Sequence, residues 1–422
     1  MIIKIRDKIS TLLNLKIVIN GIWLYILQIF NTVIPLITLP FITRILGPSQ
    51  YGTFSSALNL VGYFQVIVEY GFNLSGTRKV ALAKDEDEIS KLYSRIIMSK
   101  LFLCGFTFMI MIIISIAIKV STEQLFCMII LYSMVLGAAI QQTWFFQGLE
   151  DMKYITIVSV VSRTISVIIV FILINNYDQV YLYSILYSLT YLLMGMFSVI
   201  VIRLKYKIKF KKVILVDIFS ELKDGWYIFT TSAMSKIFGG IGITVLIFTS
   251  TSKYVGIYTA IQKIPLMVAM MYFPIGQVIY PYISKFYQHS FDNGVNQIKE
   301  ISKFILPIFG GISLILIIFS EFVIRVLYGF EYSIYSRLLL PLTIWMMLSI
   351  LNNLLGIQIL VASGHKKEYS SAFRVGVSAI IILNIILGNL AEMNGIAIAA
   401  MLAELILTIA IIFQIRVLKR KI

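Results

Sequence analysis

Stretches of about twenty apolar residues that carry almost no charge recur along the whole chain. A helix needs roughly 20 such residues to cross a bilayer. Composition agrees, since 59% of the residues are hydrophobic and 13% are charged, against about 25% charged in a soluble domain. We therefore expect an all-α integral membrane protein with about twelve transmembrane helices. Their approximate bounds are 18–43, 52–74, 93–118, 124–146, 153–174, 180–202, 225–248, 254–280, 301–320, 337–361, 370–389 and 394–416.

The positive charges are divided unevenly between alternate connections of these spans. If the N-terminus is cytoplasmic, 27 of the 36 Lys and Arg residues fall in cytoplasmic segments, five in external connections and four inside spans. Cytoplasmic loops carry an excess of Lys and Arg, so both termini are predicted to be cytoplasmic. This distribution explains the net charge of +16 without a nucleic-acid partner. The basic, amphipathic start is expected to lie along the membrane surface.

Motifs in the first half of the chain recur in the same order in the second half. Gly52 near the start of the second span corresponds to Gly256 in the eighth, 204 residues later, and Gly148 after the fourth span corresponds to Gly364 after the tenth. We infer two pseudo-symmetric six-helix bundles, which are parallel because six spans return the chain to one side. An N-terminal half, a basic cytoplasmic connector and a C-terminal half are predicted over residues 1–202, 203–224 and 225–422.

The connector holds the longest basic stretch of the chain, from Arg203 to Lys212. One interpretation is a surface helix that joins the halves and touches anionic lipid. The other is the ordinary positive charge of a cytoplasmic segment. The second interpretation is favoured because it requires no further interaction, and both can hold together.

Ionisable side chains inside the spans are the candidates for function, because an ionisable group at bilayer depth costs several kcal/mol. Arg163, Lys236, Lys263 and Glu404 fall near the middle of their spans. If they face one cavity between the halves, that cavity is net positive and suits a phosphate or diphosphate. Glu404 would then balance a cation or carry a coupling proton.

Two other charges lie nearer the cytoplasmic ends of their spans. Lys100 either extends its ammonium to the interface or lines the substrate path. Glu69 either pairs with a basic neighbour or takes part in ion coupling. The substrate-path candidates are Arg163, Lys236, Lys263, Lys100 and Arg44, and the ion-coupling candidates are Glu69 and Glu404.

No catalytic residue or metal site is predicted. Cys104 and Cys127 lie in apolar segments, and His289 and His365 lie in polar connections. This arrangement offers neither a His/Cys metal cluster nor a buried His for acid–base chemistry. We expect that the protein is not an enzyme and has no cofactor.

Several segments resemble signatures of the Wzx-type polysaccharide repeat-unit flippases. Trp144–Glu150 resembles their W-x-F-Q-G-x-E pattern after the fourth span. The segment from Glu69 to Arg78 resembles D-F-G-F-x-L-S-A-T-R, with Glu69, Tyr70 and Gly76 in place of Asp, Phe and Ala. The resemblance covers essentially the whole chain and is most specific in residues 20–157. Two further segments resemble the family, Leu39–Pro48 with the following Tyr51-Gly52, and Tyr258–Ile264.

The resemblance implies a member of the multidrug/oligosaccharidyl-lipid/polysaccharide exporter superfamily, with a fold like that of its multidrug (MATE) branch. Such proteins move undecaprenyl-diphosphate-linked oligosaccharides, as for O-antigen lipopolysaccharide, from the cytoplasmic to the outer leaflet of the bacterial inner membrane. The two halves would alternate around the cationic cavity, with H+ or Na+ as coupling ion. The implied partners are this glycolipid, membrane lipids, a polysaccharide polymerase and a chain-length regulator.

Two related functions remain as alternatives. A lipid II or other lipid-linked-glycan flippase would have the same fold, but that branch commonly has fourteen spans. A multidrug/cation antiporter would favour acids in its cavity, whereas bases outnumber acids in the spans of this chain. A polysaccharide polymerase is disfavoured, because the external connections are too short for a catalytic loop.

Overall fold

The computed structural model describes the backbone of residues 2–420 and the side chains of Lys16 and residues 18–420. Within these residues the chain is helical almost throughout and forms no strand. In a bilayer no water bonds the backbone, so apolar stretches form helices, which satisfy their own N–H and C=O groups. The side chains of the start that is predicted to lie on the membrane surface fall outside the described residues.

Fourteen α-helices follow one another along the described part of the chain. They are α1 (Ile2–Glu69), α2 (Phe72–Leu82), α3 (Glu86–Ala117), α4 (Thr122–Ile140), α5 (Thr143–Gly148), α6 (Met152–Leu173), α7 (Val180–Val201), α8 (Leu215–Thr249), α9 (Ser252–Tyr287), α10 (Phe291–Ile318), α11 (Ser320–Tyr328), α12 (Phe330–Ser333), α13 (Leu339–Asn352) and α14 (Lys366–Lys419). Two π-helical segments and a 3-10 turn complete them, at Ile202–Tyr206, Asn353–Val361 and Ser336–Leu338.

Two of the long helices are interrupted by non-helical backbone. In α1 the break is Gly47, with φ 66° and ψ 174°, a conformation open to glycine because it has no Cβ. In α14 the break is Ala391 and Glu392, where Glu392 has φ 45° and ψ −127°. Ten stretches of the described residues are long and apolar enough to cross a membrane. Two of these ten contain the breaks and so divide in two, which confirms the predicted count of about twelve spans.

Only the middle of the predicted connector, residues 207–214 of 203–224, is non-helical. The connector begins as the π-helical end of α7 and has no helix over 207–214, after which α8 starts at Leu215. The predicted seventh span at residue 225 is therefore the continuation of a helix that begins ten residues earlier. A separate surface helix does not form.

The chain divides into two compact units. The first comprises residues up to Pro35 together with Ala57–Lys236, and the second comprises Leu36–Ser56 together with the chain from Ile237 onward. In the second unit, α9, α10 and α13 share a buried apolar core that includes Tyr272, Phe309 and Met346.

The repeat-related glycines meet inside the second unit. A Cβ on Gly52 would lie 1.7 Å from the carbonyl oxygen of Ser252, and a Cβ on Gly256 would lie 1.9 Å from that of Pro48. Ser252 follows Pro48 by the same 204 residues that separate the glycines. The contact is therefore reciprocal, as at a two-fold interface where the same positions meet from both sides.

Candidate substrate path and ion-coupling residues

Arg163 lies in the middle of α6 and is held by an uncharged partner. Its Nη1 donates a 2.6 Å hydrogen bond to Oδ1 of Asn31 on α1. Among the side chains that the structure describes, no carboxylate pairs with the guanidinium within 4 Å. The side chain is half-buried. The positive charge is thus positioned without being neutralised, and guanidinium nitrogens remain for an anion.

Lys236 on α8 is positioned by an aromatic face. Its Nζ lies 5.1 Å from the centroid of the Tyr63 ring, a cation–π distance. A Cβ on Gly62 would come within 2.7 Å of the same nitrogen. The absence of a side chain at Gly62 therefore makes the room that Lys236 occupies.

Lys100 is buried, with only 1% of its surface exposed. This excludes the interpretation that its ammonium extends to the interface. Its Nζ donates to the carbonyl oxygen of Ala138 at 3.3 Å. That carbonyl lies in the last turn of α4, which ends at Ile140, where carbonyls lack helical partners and the helix dipole favours a cation. Lys100 thus binds the C-terminal end of an interrupted span.

Glu69 is the last residue of α1 and is half-buried. Its Oε1 accepts a 2.9 Å hydrogen bond from Nε2 of Gln65. Its charge acts on Lys100, although the two are not an ion pair within 4 Å. The charges of these two candidates, Glu69 and Lys100, therefore interact without direct contact. Direct pairing of Glu69 with a basic neighbour is absent among the described side chains.

The remaining cations of the set have different surroundings. Lys263 on α9 is half-buried beside the buried Ile261 and Ile264. Within residues 18–420 no hydrogen bond or ion pair of its ammonium is present. Arg44 is exposed, and its Nε donates to the carbonyl of Leu327 at 3.1 Å while Nη2 donates to that of Val326. Arg44 thus caps the C-terminal end of α11, a structural contact.

Glu404 on α14 is a buried acid, 4% exposed. Its Oε2 accepts from Nδ2 of Asn352 at 2.5 Å, and the same amide nitrogen reaches the Glu404 backbone carbonyl at 3.0 Å. Ser349, one turn earlier on α13, also hydrogen-bonds the carboxyl group. The Oδ1 of Asn352 has no partner among the described residues. Glu404 therefore lies in a polar site with an acceptor oxygen left over.

A second polar group, which the sequence analysis missed, follows Asn352 directly along the chain. The π-helical segment that follows Asn352 carries Asn353, whose Oδ1 accepts from Tyr272 at 3.0 Å. It also carries Gln358, whose Nε2 donates to the carbonyl of Gly276 at 3.0 Å. Three amides inside an otherwise apolar span were the available signal. Wide π-helical turns often mark functional sites.

The first unit has a matching glutamine. Gln142 lies six residues before Gly148, as Gln358 lies six residues before Gly364. Both glutamines are at most 1% exposed, and each donates Nε2 to a backbone carbonyl while Oε1 has no partner in the described chain. The equivalent position in each repeat thus places a buried amide oxygen at irregular backbone.

The signature segment after the fourth span serves as a junction. Oδ2 of Asp151 accepts hydrogen bonds from the hydroxyl of Tyr206 at 2.6 Å and from Nζ of Lys205, whose ammonium also lies 4.3 Å from the Tyr154 ring. Partial burial raises the pKa of Asp151, but these hydrogen bonds and the charges of Lys205 and Lys16 outweigh it and hold the pKa below its usual value. The segment therefore fastens the start of α6 to the end of α7.

The two units hold different members of the candidate set. The first unit contains Arg163, Lys236, Lys100 and Glu69, and the second contains Arg44, Lys263 and Glu404. A group of three or more His, Cys, Asp or Glu side chains able to hold a metal ion is not found among the described residues.

Comparison with known proteins shows the family of the chain. The sequence profile of the family described as "Polysaccharide biosynthesis protein" matches residues 17–287. The "Putative O-antigen transporter" of Escherichia coli (strain K12) is 28% identical over 94% of this chain and 96% of its own length. That relative is named as a transporter rather than as an enzyme. The matches confirm the resemblance that the motifs carry.

Solved structures give the same fold. The lipid II flippase MurJ in an inward closed conformation superposes with a TM-score of 0.73 at 14% identity, covering 94% of this chain and 87% of that one. An inward-facing MATE family multidrug transporter of the MOP superfamily gives 0.71 at 15% identity, covering 92% of this chain and 96% of that one. The predicted exporter-like helical fold is therefore confirmed.

Proposed function

The chain belongs to the polysaccharide biosynthesis protein family, and from that premise we propose that it is a flippase for lipid-linked oligosaccharide repeat units. It moves undecaprenyl-diphosphate-linked units from the cytoplasmic to the outer leaflet of the bacterial inner membrane by alternating access. The observation that carries this proposal is the end-to-end similarity to a relative named as an O-antigen transporter. The exporter fold supports it.

The state of the intramembrane cations supports a diphosphate as the transported head group. Arg163 is oriented by the amide of Asn31 and makes no ion pair with a carboxylate among the described side chains, while Lys236 lies over the ring of Tyr63. Lys263 has no polar partner among the described side chains. Phosphate oxygens supply the charge that such groups lack, and Arg binds them through two parallel hydrogen bonds.

The decisive experiment is to locate the lipid-linked repeat units in a deletion strain. We expect them to accumulate in the cytoplasmic leaflet, where an enzyme or label added outside spheroplasts does not reach them. Expression of the intact chain should return them to the outer leaflet. Unpolymerised units already exposed outside in the deletion strain would contradict a flippase and indicate a polymerase.

A lipid II flippase is the second candidate, because the MurJ structure shares the fold. The two functions separate in a strain depleted of its lipid II flippase. A repeat-unit flippase should leave that strain unable to grow, whereas rescue of growth by this chain would establish lipid II as its substrate.

The multidrug antiporter is tested separately. Failure of cells that express the chain to extrude a cationic drug would count against that function.

Transport is coupled to H+ or Na+ through Glu404, with Glu69 as the second candidate. Glu404 supports this role because it is buried and has the orphan Oδ1 of Asn352 beside it. In cells, Glu404→Gln should abolish the dependence of export on the ion gradient, whereas Glu300→Gln, an exposed acid, should not. A protonophore and Na+ removal identify the ion. Export by Glu404→Gln that still collapses with the gradient would reject this assignment.

A further inference from the structure

The connector presents cations that its own acids do not neutralise. Its three acids are all engaged by cations on other elements. Asp217 pairs with Arg95 at 2.7 Å, while Glu221 and Asp224 pair with Lys79 at 2.7 and 3.0 Å. These pairs fasten the connector to α2 and α3 and neutralise its three negative charges.

Three lysines of the loop are left over. Lys207, Lys209 and Lys212 are exposed, and their ammonium groups make no hydrogen bond or ion pair with any side chain that the structure describes. Two other lysines of the same stretch are paired, Lys205 with Asp151 and Lys211 with Asp87. The cations of this stretch therefore fall into two groups: Lys205 and Lys211 pair with acids of the protein, whereas Lys207, Lys209 and Lys212 stay exposed.

The loop has a fixed course although it is not helical. The backbone N–H of Lys211 donates to Oγ of Ser94 at 2.8 Å, and that of Lys209 donates to Oγ of Ser90 at 3.4 Å. The Lys211 ammonium pairs with Asp87 at 2.5 Å. Three contacts to the first turns of α3 thus hold Lys209 and its neighbours in register.

Apolar side chains are exposed between and after these lysines. Phe210 is 59% exposed and Phe219 is 58% exposed. The Phe219 ring lies 6.2 Å from the ring of Phe102, which stacks on Phe106 at 6.5 Å. Phe102 and Phe106 are themselves exposed on α3, inside a span. The apolar side of the connector therefore continues the surface that a span presents to lipid. Other exposed apolar residues here are Leu204, Ile214, Leu215 and Val216.

We propose that Lys207, Lys209 and Lys212 form a binding surface for the headgroups of anionic phospholipids. Phe210 and Phe219 lie in the interfacial layer below the headgroups, in the manner of interfacial segments that combine basic and apolar side chains. Basic residues at a membrane surface attract anionic lipid. This surface is separate from the residues proposed for the transported glycolipid and does not depend on that function.

The test compares the lipids that the purified full-length protein retains. The protein is incubated in micelles with equal amounts of phosphatidylglycerol and phosphatidylcholine, and native mass spectrometry gives the ratio retained. The triple variant Lys207→Gln/Lys209→Gln/Lys212→Gln should lower this ratio, by up to about fivefold for each lysine, the equivalent of about 1 kcal/mol per basic residue near an anionic surface. The matched control Lys366→Gln/Lys367→Gln/Arg374→Gln removes three exposed cations elsewhere and should leave the ratio unchanged.

Two further arms make the outcome decisive. The charge-preserving Lys207→Arg/Lys209→Arg/Lys212→Arg variant should keep the wild-type ratio, so a loss there would contradict a headgroup site based on charge. Inorganic phosphate should displace no more phosphatidylglycerol than chloride at equal ionic strength. Selective displacement by phosphate would indicate a phosphate site instead of a lipid surface. An unchanged ratio in the Lys→Gln variant would overturn the proposal.

Discussion

Arg163, Lys100 and Arg44 are each held by neutral oxygen atoms rather than by carboxylates. Arg163 uses a side-chain amide, and the other two use backbone carbonyls at helix ends. Such carbonyls carry partial negative charge without an ionisable group, so the cation remains formally unneutralised. At the scale of single residues, the three cations differ in whether an anion could still reach and bind them. Lys100 is buried, and the exposed Arg44 already binds the end of α11, whereas Arg163 is half-buried and keeps free guanidinium nitrogens.

Substitution of Arg163 tests its place in the substrate path. Arg163→Gln keeps a donor for Asn31 but removes the charge, and we expect export of surface polysaccharide to fall roughly 10- to 100-fold, the range of a charged hydrogen bond of about 1.5–3 kcal/mol. Protein abundance in the membrane should not change. Surface polysaccharide is measured by immunoblot against an Arg374→Gln control, an exposed cation. Normal export in both Arg163→Gln and Lys263→Gln would contradict a substrate path lined by these cations.

The reciprocal glycine contact predicts a loss of stability. Gly52→Ala would place a methyl group 1.7 Å from a backbone oxygen, which requires two backbones to separate. We expect a loss of about 3 kcal/mol or more, beyond ordinary overpacking of a core, seen as a lower melting temperature in detergent. Gly239→Ala is the control, because nothing lies within 4 Å of its Cβ position, and it should melt like the wild type. Equal melting of both variants would contradict the contact.

The fourth and tenth spans are irregular at corresponding positions. The fourth is broken between α4 and α5, and the tenth passes from α13 into a π-helical segment. Each irregularity carries one of the paired glutamines, Gln142 and Gln358, with an unpartnered oxygen. Interrupted helices place free backbone and amide groups at membrane depth, where transporters bind ions and polar groups. At the scale of elements, each unit thus contains one span whose regular α-helix is interrupted within the predicted span.

The Asp151 junction predicts a pH-dependent stability. Because the pKa of Asp151 is lowered in the folded protein, its stabilising contribution is present above the unfolded pKa and is lost as pH falls through the folded pKa. Asp151→Asn should lower the melting temperature by about 1–2 °C at neutral pH, as for a partly exposed ion pair. The difference from wild type should shrink below about pH 4. A difference that persists unchanged at pH 3 would rule out this electrostatic origin.

At the scale of the whole molecule, the positive charge predicts the orientation in the membrane. Both termini are expected in the cytoplasm, since the basic connections alternate with poorly charged ones. Single cysteines introduced near each end, in a variant without Cys104 and Cys127, should react with a membrane-impermeant maleimide only after the cells are opened. A cysteine in the connection after Lys119 should react in intact cells. Labelling of either terminus in intact cells would reverse the orientation.

The number and approximate position of the spans follow from the sequence because a bilayer admits only helices of a certain length. Helix rotation does not follow, and it decides what each charge touches. Lys100 could be placed near a span end, but not against the carbonyl of Ala138, which becomes available only because α4 stops at Ile140. The Asn353 and Gln358 group escaped notice because uncharged amides do not disturb an apolar pattern.

The segment 36–56 lies in the second unit although the chain returns to the first unit on both sides of it. A gene divided at the connector would therefore yield two polypeptides, of which the second lacks a piece of its own unit, including the partner of Gly256. Such fragments should assemble only when both are made in the same cell. The two units are therefore interlaced along the sequence, and we expect that neither half of the chain folds as an independent module.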